Sequence, residues 1–185
     1  SDTDRVSSLI NACNIDCRNI YAFAMDEYAD ENGNIAPESW EFSFTNAMMR
    51  YFYYEIDKKL RPPKDHFVGF TNENLKEYGK MIDDLGGADI CYSGPGWTGH
   101  LAFIEPDAPE FQGTLEEWKN MSARIVTLSP FTLAQNSLHG CACYYRTWYL
   151  HRLTTLYLPP CIAWSDHAVS ARIDPANIGH RRVCF

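Results

Sequence analysis

Residues 88–106 read ADICYSGPGWTGHLAFIEP. A short apolar run, ADIC, hands over to a loop with glycine at 94, 96 and 99, and that loop sets His100 five residues ahead of Glu105. The run reads as a short buried strand. A buried strand that empties into a polar, glycine-rich loop is what a parallel sheet presents at its carboxyl edge, where ligands of open α/β sheets bind. Gly94, Gly96 and Gly99 let backbone N–H groups come close to a ligand and leave room for positive φ.

Working outward, CRNIYAFAMDEY (17–28) runs β-favouring residues into two acids, Asp26 and Glu27. It reads as a second strand buried on both faces and ending at the same edge. DENGN (30–34) is turn chemistry. In PESWEFSFTNAMMRYFYYEIDKKL (37–60), Trp40, Phe44, Ala47, Met48, Tyr51, Phe52 and Ile56 recur three and four apart. That stripe predicts one long amphipathic helix, stopped by the prolines of RPP. A second helix is expected over NENLKEYGKMIDDL (72–85), ended by Gly86 and Gly87. RVSSLINACNI (5–15) has helical spacing at Val6, Leu9, Ile10 and Cys13. ARIVTLS (123–129) reads as a strand, and PFTLAQNSL (130–138) as a helix capped by Ser129 with Pro130 in its first turn. Strands alternating with helices predict an α/β fold: a three-layer sandwich around a mainly parallel, open, Rossmann-like sheet.

The totals fit one such unit. A chain of 185 residues, 45% hydrophobic and 22% charged, has the composition of a globular domain. A formal charge of −8 speaks against a nucleic-acid surface. No apolar run is long enough to span a membrane, and SDTDRVSSLINAC carries no leader pattern, so a cytoplasmic protein is expected. Seven cysteines in a chain of this size point to reduced thiols rather than a disulfide framework.

Chemically, His100 can exchange a proton near neutral pH. Glu105 can fix its tautomer if the chain folds back through LAFI, and Asp26 supplies a carboxylate base from the neighbouring strand. Taken singly, each has an ordinary reading: a structural loop, a histidine with a polar partner, a solvated strand end. Their coincidence at predicted carboxyl edges of one sheet gives them weight.

MDEY followed by PESWEFSF, and then YGKMIDDLGGADICYSGPGWTGHLAFIEP, resemble the glucosamine-6-phosphate deaminase (isomerase) family over roughly residues 18–140. The resemblance implies opening of the sugar ring, aldose–ketose isomerisation and loss of ammonia, with no metal and no cofactor. It assigns Asp26, His100 and Glu105 to catalysis: Asp26 moves a proton between C2 and C1, His100 assists ring opening, and Glu105 orients His100. Glu27, Gly94, Gly96, Thr98 and Gly99 are the expected substrate contacts. A sugar phosphate is the expected partner, and a homo-oligomer is open. Relative to that family, Thr98 stands where an aspartate is expected, a phosphate loop would lie upstream of residue 1, and a Lys-bearing helix is not legible after Gly140. The sequence is therefore incomplete at both ends relative to the family. A non-catalytic sugar-phosphate binder or inactive fragment, and a 6-phosphogluconolactonase-like hydrolase, stand as alternatives.

After Gly140 the composition shifts to Cys, Arg, His and Tyr. Residues 1–140 are expected to form the isomerase-like unit. Residues 141–185 are left unassigned, within the same domain or as a poorly specified tail that resembles unrelated or out-of-frame sequence. His139, Cys141, Cys143, Cys161 and His167 raise a tetrahedral metal reading, but their spacing is not that of a zinc site, so no metal is assigned.

Overall fold

The computed structural model describes residues 2–30, 32–139, 152–155 and 181–184. Helix α1 (Asp2–Ala12) leads into strands β1 (Ile20–Phe23) and β2 (Asp26–Ala29), helix α2 (Phe44–Met48), and β3 (Phe67–Val68). There follow α3 (Tyr78–Asp84), β4 (Ile90–Cys91), α4 (Leu115–Lys119), β5 (Arg124–Val126), α5 (Pro130–His139), β6 (Arg152–Thr155) and β7 (Arg181–Cys184). Helices alternate with strands, giving the expected α/β fold.

Two sheets form. The first is four-stranded, in the order β3-β1-β7-β4, and every pairing in it is parallel. Its register sets Ala22 against Phe67 and Val183, and Cys91 against Cys184. The second is three-stranded and antiparallel, in the order β2-β6-β5, with Asp26 opposite Thr155. Both β6 and β7 come from beyond residue 140 and pair with strands from before it. The rest of that tail, including Cys141, Cys143, Cys161 and His167, lies outside the described residues.

The expected single strand through MDEY is in fact two. The ladder of β1 ends at Phe23. Tyr78, fully buried, shares its one hydroxyl proton between the carbonyls of Ala24 (2.8 Å) and Val68 (3.0 Å), drawing the Ala24 acceptor out of the sheet. The chain bends at Met25 and re-enters extended structure as β2, in the other sheet. Asp26 therefore opens β2 rather than closing β1. Nor is β1 the neighbour of β4, because β7 lies between them. Since all four strands of that sheet run the same way, β1 and β4 still end at one edge.

The long helix expected over 37–60 is shorter and changes pitch. Ser43 is its N-cap, accepting from the backbone N–H of Asn46, and the residues before it form turns. From Met49 to Tyr53 the chain is π-helical, with Tyr54 N–H bonded to Met49 C=O at 2.9 Å. A π turn takes more residues per turn than an α turn, so the apolar stripe rotates. Met49, Phe52 and Tyr53 end up buried, whereas Tyr51, expected in the stripe, is exposed.

α3 occupies the second half of the expected 72–85 helix. Gly86 and Gly87 end it with positive φ, and their N–H groups bond to Asp83 and Ile82. The main core gathers Phe23, Met25, Phe70, Tyr78, Ile82, Ala102, Ile104 and Val126, with Phe70 stacked on Tyr78 at 3.8 Å. A Phe, Met, Ile or Val side chain buried here stabilises the fold by roughly 1.5–3 kcal/mol. Met25 and the partly buried Cys91 both join this cluster, their sulfurs 3.5 Å apart, so the two strand ends that deliver the site are packed together. Among the described residues no helix is long and apolar enough to cross a membrane.

Candidate active site

The glycine loop folds tightly on itself. Gly96 N–H bonds to the carbonyl of His100 at 2.8 Å, and Gly99 N–H to the carbonyl of Gly96 at 3.0 Å. Gly99 has φ +85° and Gly96 lies directly against the imidazole: a Cβ there would sit 2.1 Å from His100 Nε2. These two positions require glycine, one for its backbone conformation and the other for its lack of a side chain. Gly94 differs. It is exposed, and an added Cβ would meet nothing.

Beyond His100 the chain does turn back through LAFI. Ile104 N–H bonds to Leu101 C=O at 2.9 Å, and both central residues, Ala102 and Phe103, have positive φ (51° and 61°). That pair of values is the mark of a tight hairpin turn which normally selects glycine or asparagine. Its strain, on the order of 1–2 kcal/mol per residue, is held by burial of both side chains. The turn returns Glu105 to His100.

His100 and Glu105 are both buried. The ring of His100 stacks on Phe103, centroids 5.1 Å apart, and its Nδ1 lies 2.7 Å from Thr98 Oγ1, 3.2 Å from Thr132 Oγ1 and 3.5 Å from Glu105 Oε1. Thr98 donates its hydroxyl to Glu105 Oε2 at 2.6 Å, and Thr132 donates to Oε1 in a short bond. Burial acts to raise the pKa of Glu105. The hydroxyls of Thr132, Thr98 and Ser129, with His100 nearby, outweigh it and hold the carboxyl below its ordinary range. Thr132 is fully buried in the first turn of α5, and Ser129 caps that turn by accepting from the Thr132 N–H. A helix N-terminus favours negative charge at this point.

Thr132 was not among the sequence-predicted site residues. The available signal was its spacing, three residues after the Ser129 cap, at the end of a strand.

Asp26 is half-buried at the start of β2. Burial, and then the charge of Glu27, push its carboxyl up to about 7. Glu27 faces elsewhere. It is 0% exposed, and its carboxylate accepts from the backbone of Tyr28 (2.9 Å), Phe44 (3.0 Å) and Thr45 (2.8 Å) and from the Ser43 hydroxyl (2.7 Å). Those bonds occupy its oxygens at the start of α2, where Glu27 anchors the helix.

Packing joins the two halves of the site through aromatic rings. Tyr28 stacks on Phe44 (4.6 Å), Phe44 on Phe103 (6.0 Å), and Phe103 on His100. A cavity of about 370 Å³ opens beside the hairpin, lined by Gly99, Leu101, Glu105, Phe111 and Trp118. A larger one of about 550 Å³, bounded by Glu38, Thr45, Gly69, Asn72 and Asn74, reaches none of the predicted site residues.

No family model matches the chain. Among curated proteins, the glucosamine-6-phosphate deaminase of Clostridium tetani is 30% identical over 123 residues, covering 66% of this chain and 46% of the relative. That of Caenorhabditis elegans is 31% identical over 131 residues, covering 69% and 43% respectively. Over about two thirds of its length the chain is similar to the glucosamine-6-phosphate deaminases. It spans about half the length, or less, of these deaminases. The fold agrees with a solved structure described as a monomeric glucosamine-6-phosphate deaminase, missing link of the NagB superfamily. The TM-score is 0.64 at 21% identity, over 84% of this chain and 58% of that one.

Proposed function

We propose that this chain acts as a cytoplasmic amino-sugar-phosphate isomerase and deaminase, converting glucosamine 6-phosphate to fructose 6-phosphate and ammonia. The observation that carries the reading is the buried His100–Thr98–Glu105 cluster, with a carboxylate titrating near neutrality, Asp26, beyond a parallel strand that ends at the same sheet edge.

The residues fit the steps. His100 Nε2 takes the proton of the anomeric hydroxyl and returns one to the ring oxygen, opening the sugar. Asp26 removes the C2 proton of the open aldose while the ammonium group passes a proton to O1, leaving an enolamine, and Asp26 then returns its proton to C1. C1 becomes a hydroxymethyl group and C2 an imine, which water hydrolyses with release of ammonia. No net oxidation occurs, so only acid–base groups are needed. A base that titrates near 7 suits proton abstraction at neutral pH, and a positioned acid–base group contributes about 10²–10⁴ in rate.

The test is ammonia release from glucosamine 6-phosphate by the chain, with Asp26→Asn as control. Release by the wild type and a fall of about 10²–10⁴ in the variant supports the reading. Wild-type silence with sugar phosphate bound in a calorimeter selects a non-catalytic binder.

A further inference from the structure

We propose that Thr98 and Thr132 are positioning residues whose hydroxyls stand between His100 and Glu105 and hold the imidazole as its Nδ1–H tautomer, leaving Nε2 to meet the ligand. The proposal rests on the reading of His100 as the acid–base group, and takes the site a step further. It accounts for threonine at position 98, where the family resemblance places an aspartate.

An ionised carboxylate only accepts, and a hydroxyl has one proton to give. Thr98 gives its proton to Glu105 Oε2 and Thr132 gives its own to Oε1. Neither has one left for His100. Both nevertheless lie within bonding distance of Nδ1, at 2.7 and 3.2 Å, so the proton in those contacts belongs to the ring. Ser129 closes the cluster, its hydroxyl oxygen 3.2 Å from that of Thr132 while it accepts the Thr132 N–H. The network therefore runs one way, from His100 through Thr98 and Thr132, and converges on one carboxylate.

The carboxylate does not orient the ring directly. Its nearer oxygen is 3.5 Å from Nδ1, beyond a normal N–H···O bond of 2.7–3.2 Å. Two neutral oxygens do so in its place. With Nδ1 occupied, the lone pair of a neutral imidazole is on Nε2, the atom that borders Gly96 in the glycine loop. The acidic group facing the ring is Glu105, on the chain that returns through the hairpin, and from α5 it meets the hydroxyl of Thr132.

Imidazole ¹⁵N resonances of the labelled chain at pH 8, with His100 assigned through His100→Gln, provide the test. Wild type is expected to show His100 as the Nδ1–H tautomer. Thr98→Val is expected to move His100 toward the Nε2–H form and to lower kcat roughly ten- to hundredfold with little change in KM. Thr98→Ser and Thr132→Ser keep the hydroxyls and are expected to retain the wild-type spectrum. An Nε2–H resonance in wild type, or a serine variant that loses the Nδ1–H form while folded, overturns the proposal. The wild-type spectrum decides even if the valine variant does not fold. A chain that shows the expected tautomers yet releases no ammonia refutes the assigned reaction and leaves the relay standing. Ammonia release with the opposite tautomer does the reverse.

Discussion

The imidazole of His100 lies nearly parallel to the ring of Phe103, 26° between planes, and Phe103 reaches it from a backbone with φ +61°. A strained turn and a stacked ring thus hold one histidine. Phe103 also faces Phe44 and packs with Tyr28, Ala36 and Leu128. Phe103→Ala is expected to destabilise the chain by about 3–5 kcal/mol. Ala102→Gly relieves a positive φ and is expected to be neutral or stabilising by up to about 1 kcal/mol. Urea midpoints of the two variants check both statements.

Gly96 and Gly94 make a matched pair. Gly96→Ala drives a methyl into the Nε2 edge of His100, and the ring cannot easily yield because Thr98, Thr132 and Phe103 surround it. Activity is expected to fall at least tenfold, for displacement of a catalytic group by about 1 Å already costs on the order of 10². Gly94→Ala meets open space and is expected to leave activity within twofold of wild type. Steady-state rates of the two variants, with circular dichroism confirming the fold, decide it.

Asp26 links pH to both rate and stability. Its folded carboxyl titrates near 7, against 3.8 as the ordinary value. Between those values the folded state holds a proton that the unfolded state has lost, so this residue makes stability fall as pH rises from about 4 to 7. Asp26→Asn removes the effect. The variant is expected to match wild type near pH 4 and to exceed it by about 1–3 kcal/mol at pH 8, measured by urea denaturation. If Asp26 is the base, the acid limb of kcat/KM in wild type falls near pH 7. Glu105 has the opposite sign: its lowered carboxyl contributes stability above about pH 4.5 that is lost as pH falls further.

Glu27 is structural. Glu27→Gln replaces one carboxylate oxygen, which now accepts from backbone N–H groups, with an amide donor. A loss of about 1.5–3 kcal/mol is expected, from weakening of charged hydrogen bonds at the start of α2. Thermal unfolding of the variant measures it. Survival of the fold with selective loss of sugar binding would return Glu27 to the ligand site.

Much of the fold was legible because it rests on local signals. Apolar runs ending in polar loops located β1, β4 and β5, and Gly86 with Gly87 marked the end of α3. The break after Phe23 was not legible, since it depends on the hydroxyl of Tyr78, which lies 54 residues downstream of Ala24. The π turn at Met49–Tyr53 hid in a sequence whose spacing equally suits an α-helix. In the site, His100 and Glu105 could be read from the hairpin between them. Thr132 was missed, because its one local signal is its place after the Ser129 cap and it reaches Glu105 from another element 27 residues on. The anchoring bonds of Glu27 were not legible for a related reason. Adjacent acids look alike in sequence, and only the fold buries one of them in a helix terminus.

The most direct test of the account is the structure of the Asp26→Asn variant with glucosamine 6-phosphate bound. The account predicts one sugar with C2 about 3–3.5 Å from the side chain at position 26 and its anomeric or ring oxygen at His100 Nε2. A sugar that touches only one of these side chains, or that binds in the cavity bounded by Thr45 and Asn72, contradicts it.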